Sequence, residues 1–378
     1  MNRHNFLVLL NKYNKGEASQ AEVDFIMKYY ELFDALPNEV SEDSPLQEEI
    51  LRKLMEKIHE EPAIVNYRSK RWRLAASVIL VISSLFVSWY YIFRPHSNFK
   101  NQPIVVQHDV PPATKRAQLI LDNGKTINLD EQKKGLLTIQ NNVQVTKTEE
   151  GNLNFQSTAN DSDHNPTRIN QLITPQGGQY TLQLSDGSKV WLNAASRFSF
   201  PADFSGDKRV VELDGEAFFE VTHHTSKPFI VKAKDTEIVV LGTQFNITAY
   251  HDEGLTKTTL IDGAVRVNHN NMSRELKAGL QAITMQDSPI QVKSIDVKEA
   301  TAWKDGYFYF KDESLDNIMR QLQRWYNIEV VYHPKVNKTQ TFGGIISNKN
   351  HISNILSLME LTEGIHFKIE GRRVTVMP

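Results

Sequence analysis

The chain has no cysteine in 378 residues. This excludes a disulfide framework, thiol catalysis, a cysteine-ligated metal site and attachment of a lipid to a thiol, so any domain must be held by its own core. A surplus of charge is lacking too. With 43 Lys plus Arg against 45 Asp plus Glu the net is −2, which excludes a general nucleic-acid binder and points to no direct nucleic-acid contact. No Walker loop, dinucleotide fingerprint or His-Glu-x-x-His helix occurs.

One stretch lacks charge altogether, and the rest is organised around it. Leu74 to Phe93 is 20 residues, 11 of them Leu, Ile, Val or Phe. As a helix it would be roughly 30 Å long, the thickness of a bilayer's hydrocarbon core. Trp72 stands at one end and Trp89, Tyr90 and Tyr91 at the other, where interfacial aromatics belong. No small-residue cleavage site follows, so the run is not a signal peptide. Arg68, Lys70, Arg71 and Arg73 crowd its N-terminal flank, whereas Arg94 and Lys100 are the nearest basic residues beyond it. By the positive-inside rule the N-terminus is cytoplasmic and the C-terminal part is exported. The expected layout is a cytoplasmic helical segment over 1–67, a membrane span over 74–93 and a polar tether over 94–114.

The cytoplasmic segment reads as three short helices. Ser19 with Glu22 forms a capping box for a helix bearing Phe25, Tyr29, Leu32 and Leu36 along one stripe. Ser44 and Pro45 start another, with Leu51 and Leu54 on its apolar face. Residues 1–61 carry 7 Lys plus Arg against 13 Asp plus Glu. Such an acidic, apolar-striped unit suits a partner with a basic and apolar surface, such as a nucleic-acid-binding protein. A self-sufficient bundle fits the same pattern.

From 115 to 295 the texture is short alternating runs with turn signals, the mark of an all-β domain, a β-sandwich or β-helical stack. Hairpins are predicted about Asn123-Gly124, Glu150-Gly151 and Asp186-Gly187. Leu119, Leu121, Ile127 and Leu129 are repeated by Leu182, Leu184, Val190 and Leu192 at an offset of 63, which signals an internal duplication. Strands are also predicted at Arg209–Leu213 and Ala217–Val221, separated by a turn at Asp214-Gly215, and at intervals on to Met285. Residues 157–166 read as a polar link.

The motifs Thr174-Pro-Gln-Gly-Gly-Gln-Tyr, Leu184-Ser-Asp-Gly-Ser-Lys-Val-Trp-Leu-Asn-Ala, Phe200-Pro and Leu213-Asp-Gly-Glu-Ala-Phe-Phe-Glu-Val follow in order. Lys227-Pro-Phe-Ile-Val, Val240-Leu-Gly-Thr-Gln-Phe-Asn-Ile and Thr259-Leu-Ile-Asp-Gly-Ala-Val complete the series. Over about 115 to 290 the chain resembles the FecR-type anti-sigma factors of Gram-negative bacteria, in their Bacteroidota form. The resemblance implies an inner-membrane protein that holds an extracytoplasmic-function sigma factor with its cytoplasmic segment. Its sigma-factor-binding residues would be Phe25, Tyr29, Leu32, Leu36, Leu51 and Leu54. Its periplasmic part would receive a signal from the signalling domain of a TonB-dependent outer-membrane transporter of iron or glycans. The alternative is a membrane-anchored periplasmic β-domain binding protein with no sigma-factor role.

Residues 301–378 change character again. An aromatic strand at Trp303–Phe310, helices at Leu315–Tyr326 and Ile352–Leu361, and a closing hairpin about Gly371 predict an α+β domain with its helices on one face of a small sheet. It resembles the C-terminal domain that often follows the FecR region, and its layout is similar to the short signalling domains of secretins and TonB-dependent transducers. It serves either as a strand-addition docking module or as a cap on the β-stack.

Little chemistry is legible. His223-His224 and His251-Asp252-Glu253 could suggest a metal site, but the histidines read as solvated turn residues, and Glu216 and Glu220 as structural or surface carboxylates. No metal, cofactor or enzymatic reaction is expected. The Gly242-Thr243 bond is singled out because some FecR-type proteins are similar in cleaving themselves at a Gly-Thr here, by attack of the Thr243 hydroxyl on the Gly242 carbonyl. Recovery of only intact chain from membranes would exclude this; the plainer reading is a glycine chosen for its backbone freedom.

Overall fold

The computed structural model describes Val23 and residues 109–378, other than 141–142, 158–168 and 362–363. The six sigma-factor-binding candidates, the 74–93 run, most of the 94–114 tether and most of the 157–166 link lie outside the described residues. Among the described residues no helix is long and apolar enough to cross a membrane. Residues 109–378 belong to one compact unit.

Short alternating segments with glycine turns cannot satisfy their backbones alone, and here they pair into one large curled sheet of nineteen strands. The sheet doubles over into two facing layers. The first runs Thr126–Asn128, Gln118–Ile120, Ile169–Thr174, Ser196–Pro201, Arg209–Glu212, Phe229–Ala233, Thr236–Val240, Val265–His269 and Met272–Leu276. The second runs Gly135–Gln140, Val143–Lys147, Leu153–Ser157, Gly178–Gln183, Lys189–Leu192, Gly215–Glu220, Gln244–Ala249, Leu255–Asp262, Leu280–Met285 and Gln291–Ser294. Period-two alternation sends one side chain in two to the space between the layers. Phe155 meets Phe200 edge-on at 5.0 Å, and Phe219 meets Phe198 and Phe229 at 5.9 and 6.2 Å, all across the layers.

The two layers have one strand in common. Arg209–Glu220 is a single 12-residue strand whose first half pairs in one layer and whose second half pairs in the other. The expected turn at Asp214-Gly215 is therefore corrected to a bend within a strand. Gly215 has φ +121° and lies so close to Ser196 that a Cβ there would stand 2.6 Å from the Ser196 Cα. The glycine serves close approach rather than chain reversal.

The duplicated hairpins are present in identical form. Leu119 pairs with Ile127 and Leu182 with Val190, each pair shifted by 63 from the other. At the turns, Gly124 N–H donates to the Leu121 carbonyl and Gly187 N–H to the Leu184 carbonyl. Gly151 repeats the bond to Thr148 in the hairpin between them. The first hairpin lies in one layer and its copy in the other.

The C-terminal part holds three helices: α1 (Val297–Asp305), α2 (Leu315–Tyr326) and α3 (Ile352–Glu360). The expected strand at Trp303–Phe310 begins only at Tyr307. Trp303 belongs to α1, which Asp296 starts by accepting the Lys298 N–H and Gly306 ends at φ +97°. With only Ala300, Ala302 and Trp303 buried, α1 carries too narrow an apolar stripe to announce itself. The expected single small sheet is likewise two. Tyr307–Ser314 pairs with Thr341–Ser347, while Arg373–Met377 pairs with Glu329–Tyr332 and His366–Glu370. Ile318, Met319 and Leu322 of α2 and Ile355 and Leu356 of α3 are fully buried.

Candidate functional site

The seam between the second layer and the C-terminal helices gathers a connected set of polar side chains. Glu216 projects from the shared strand directly opposite Thr248. Its carboxylate accepts from Asn193 Nδ2 at 2.8 Å on one oxygen, and from Asn246 Nδ2 at 3.0 Å and Thr248 Oγ1 at 3.1 Å on the other. Both amides are pinned as donors. The Asn193 oxygen takes the Ala194 N–H, and the Asn246 oxygen takes Trp303 Nε1 from α1 at 3.2 Å. A chain of hydrogen bonds thus runs from a C-terminal helix into the β-layers. Beside it lies a cavity of about 160 Å³ lined in part by Lys257, Gln281 and Arg324.

Arg324 of α2 is the second anchor. Its Nη2 donates to Glu253 Oε1 at 2.5 Å, its guanidinium stands 3.8 Å over the Tyr250 ring, and its carbonyl accepts the Gly177 N–H at 2.8 Å. Asp252 approaches at 3.6 Å. The acidic pair of His251-Asp252-Glu253 thus receives an arginine, while His223, His224 and His251 are exposed. Among the described residues no group of three His, Asp or Glu could hold a metal ion. Tyr250 donates to the Ala194 carbonyl at 2.9 Å, and burial, then the Glu216 charge, pushes its phenol well up.

Burial likewise raises the Glu216 carboxyl above the usual carboxylate range, against the pull of its three donors and Arg324. A carboxyl raised by folding favours the folded state most when protonated, so its contribution is present at acid pH and is lost as pH rises through the raised value. In Glu216→Gln the amide also sets an N–H₂ against a fixed N–H₂ donor, at a cost of about 1–3 kcal/mol. Urea unfolding of the two proteins across pH should show the wild-type advantage shrinking from acid pH upward. A gap independent of pH would mean that Glu216 does not titrate with folding.

Glu220, four residues on, is exposed and lies apart from this network. Gly242 and Thr243 sit at a different place, where the second layer meets the His223 loop. The Thr243 hydroxyl donates to the Ala264 carbonyl at 3.0 Å, and a Cβ on Gly242 would stand 2.5 Å from the His223 Cα. Space alone therefore calls for a glycine at 242.

Arg324 and Arg209 were not legible as site residues. Arg209 is 2% exposed; it pairs with Asp186 at 2.7 Å and donates to the carbonyls of Lys227 and Thr222 at 3.0 and 2.9 Å. One signal existed: Arg209 shares the inward phase of Val211 and Leu213.

Two family models match the chain: FecR protein over residues 170–266 and FecR, C-terminal over 307–376. Two crystal structures of a candidate anti-sigma factor from Parabacteroides distasonis, at 1.65 and 2.50 Å resolution, are similar to it. Each is 31% identical with a TM-score of 0.52, over 55% of this chain and 98% of the other. No curated protein matches. The shared strand, the seam and the C-terminal helices fall within or beside the two matched regions, and the chain belongs to the FecR family.

Proposed function

We propose that the protein is a single-pass inner-membrane anti-sigma factor. The observation that carries this is the 31% identity with almost the whole of a candidate anti-sigma factor. The charge-free run at 74–93 supports a division into a cytoplasmic unit that binds an extracytoplasmic-function sigma factor and a periplasmic unit that receives the signal. The cytoplasmic contact is formed by Phe25, Tyr29, Leu32, Leu36, Leu51 and Leu54. The periplasmic partner is the signalling domain of a TonB-dependent transporter of iron or glycans, docking on the 301–378 domain. The free edges of its two small sheets suit strand addition. No cofactor and no enzymatic reaction belong to this role.

The test is capture of the tagged full-length chain from detergent-solubilised membranes, with mass spectrometry of what binds. A small sigma factor should be recovered and lost when Phe25, Tyr29 and Leu32 are changed together to Asp. Three buried contacts at about 2 kcal/mol each are enough to abolish capture. Equal recovery by the variant would remove these residues from the interface, and no sigma factor from either would sink the reading.

A further inference from the structure

Helix α3 is not capped by its own chain neighbour. His351, at the capping position, makes no side-chain hydrogen bond to the first turn. The free donors are met from 244 residues away: Asp109 accepts Ser353 Oγ at 2.5 Å and Ser353 N–H at 3.3 Å. The next residue, Val110, is buried at 4% exposure, and its carbonyl accepts the Ile352 N–H at 3.1 Å. A carboxylate and a carbonyl from far earlier in the chain thus supply what a helix N-terminus lacks.

The same few residues then grip the β-layers. Thr114 and Lys115 lie parallel to Gly178 and Gln179, and the Thr114 N–H donates to the Gly177 carbonyl at 3.0 Å. Lys115 Nζ reaches the Glu150 carbonyl at 2.6 Å. The fit is close: a Cβ on Gly178 would stand 2.7 Å from the Arg116 carbonyl oxygen. Gly177, which accepts from Thr114, donates to the Arg324 carbonyl of α2.

We infer that Asp109–Lys115 is a strap that joins the C-terminal helices to the β-layers, and that seating of the C-terminal helices and docking of this strap are one coupled event. Moving α3 away takes Ser353 from Asp109 and Ile352 from the Val110 carbonyl. The strap then keeps its short parallel pairing and the Lys115 bonds to Glu150 and Asn152, and its first residues are released. The C-terminal domain thereby controls how firmly a segment far from it in sequence is held. This does not depend on what the cytoplasmic segment binds.

Hydrogen exchange on the full-length chain tests it, comparing wild type with Asp109→Ala. Exchange should rise about five- to ten-fold in the 350–356 peptide, the loss expected for a helix cap, and by a similar factor in the 111–117 peptide. Peptides from the 215–221 strand should not change. A rise in 350–356 alone would leave Asp109 as a simple cap and overturn the coupling, as would no change in either. Should Asp109→Ala disturb the whole fold, Ser353→Ala decides the matter. It removes only the hydroxyl on the C-terminal side, and it must still speed exchange at 111–117.

Discussion

Replacing Arg209 with alanine should destabilise the β-domain by about 3–5 kcal/mol, enough to unfold it near its working temperature. The guanidinium is enclosed, with Asp186 on one side and the carbonyls of Lys227, Thr222 and Leu241 around it, above the Phe229 ring at 5.4 Å. Truncation leaves a carboxylate that is 14% exposed without its partner, and several carbonyls without a donor. Arg209→Lys should recover only part of the loss, because an ammonium cannot spread donors in the fan these acceptors require. Urea unfolding followed by Trp fluorescence reads both. A change under 1 kcal/mol for the alanine variant would show that water reaches and satisfies these groups.

The second large effect is expected at Arg324. Arg324→Ala breaks a buried pair in which Glu253 is 14% exposed, so the seam should weaken by about 3–5 kcal/mol. The more exposed Asp252, at 63%, adds little. Loss of the ring contact with Tyr250 contributes about 1–2 kcal/mol to that total. The outcome differs in kind from that at Arg209: the C-terminal helices should loosen while the layers stay folded. A double-mutant cycle with Glu253→Gln measures the pair, and a coupling near zero would move the anchoring role to Trp303 and Asn246.

These two residues mark where sequence reasoning stopped. The hairpins were legible because Asn-Gly and Asp-Gly turns flanked by alternating Leu and Val leave one sensible geometry. Helix α2 was legible because Ser314 caps it and Ile318, Met319, Leu322 and Trp325 repeat at helical spacing. The Asp214-Gly215 bend was not, since a glycine needed for contact with Ser196 carries the same letters as one needed for a turn. The seam was hidden for a further reason. Glu216, Asn246 and Trp303 meet only after the strands have paired, and no local pattern reports a bond between residues 57 positions apart. The strap is the extreme case, a helix cap supplied from 244 residues away.

The shared Arg209–Glu220 strand has a consequence for how the domain fails. Two layers built from separate strands can peel apart and leave a half-molten intermediate. Here neither layer can lose its central strand without the other losing it too, because the bend at Gly215 passes one backbone through both. The nineteen-stranded sheet should melt in a single transition, with calorimetric and van't Hoff enthalpies equal.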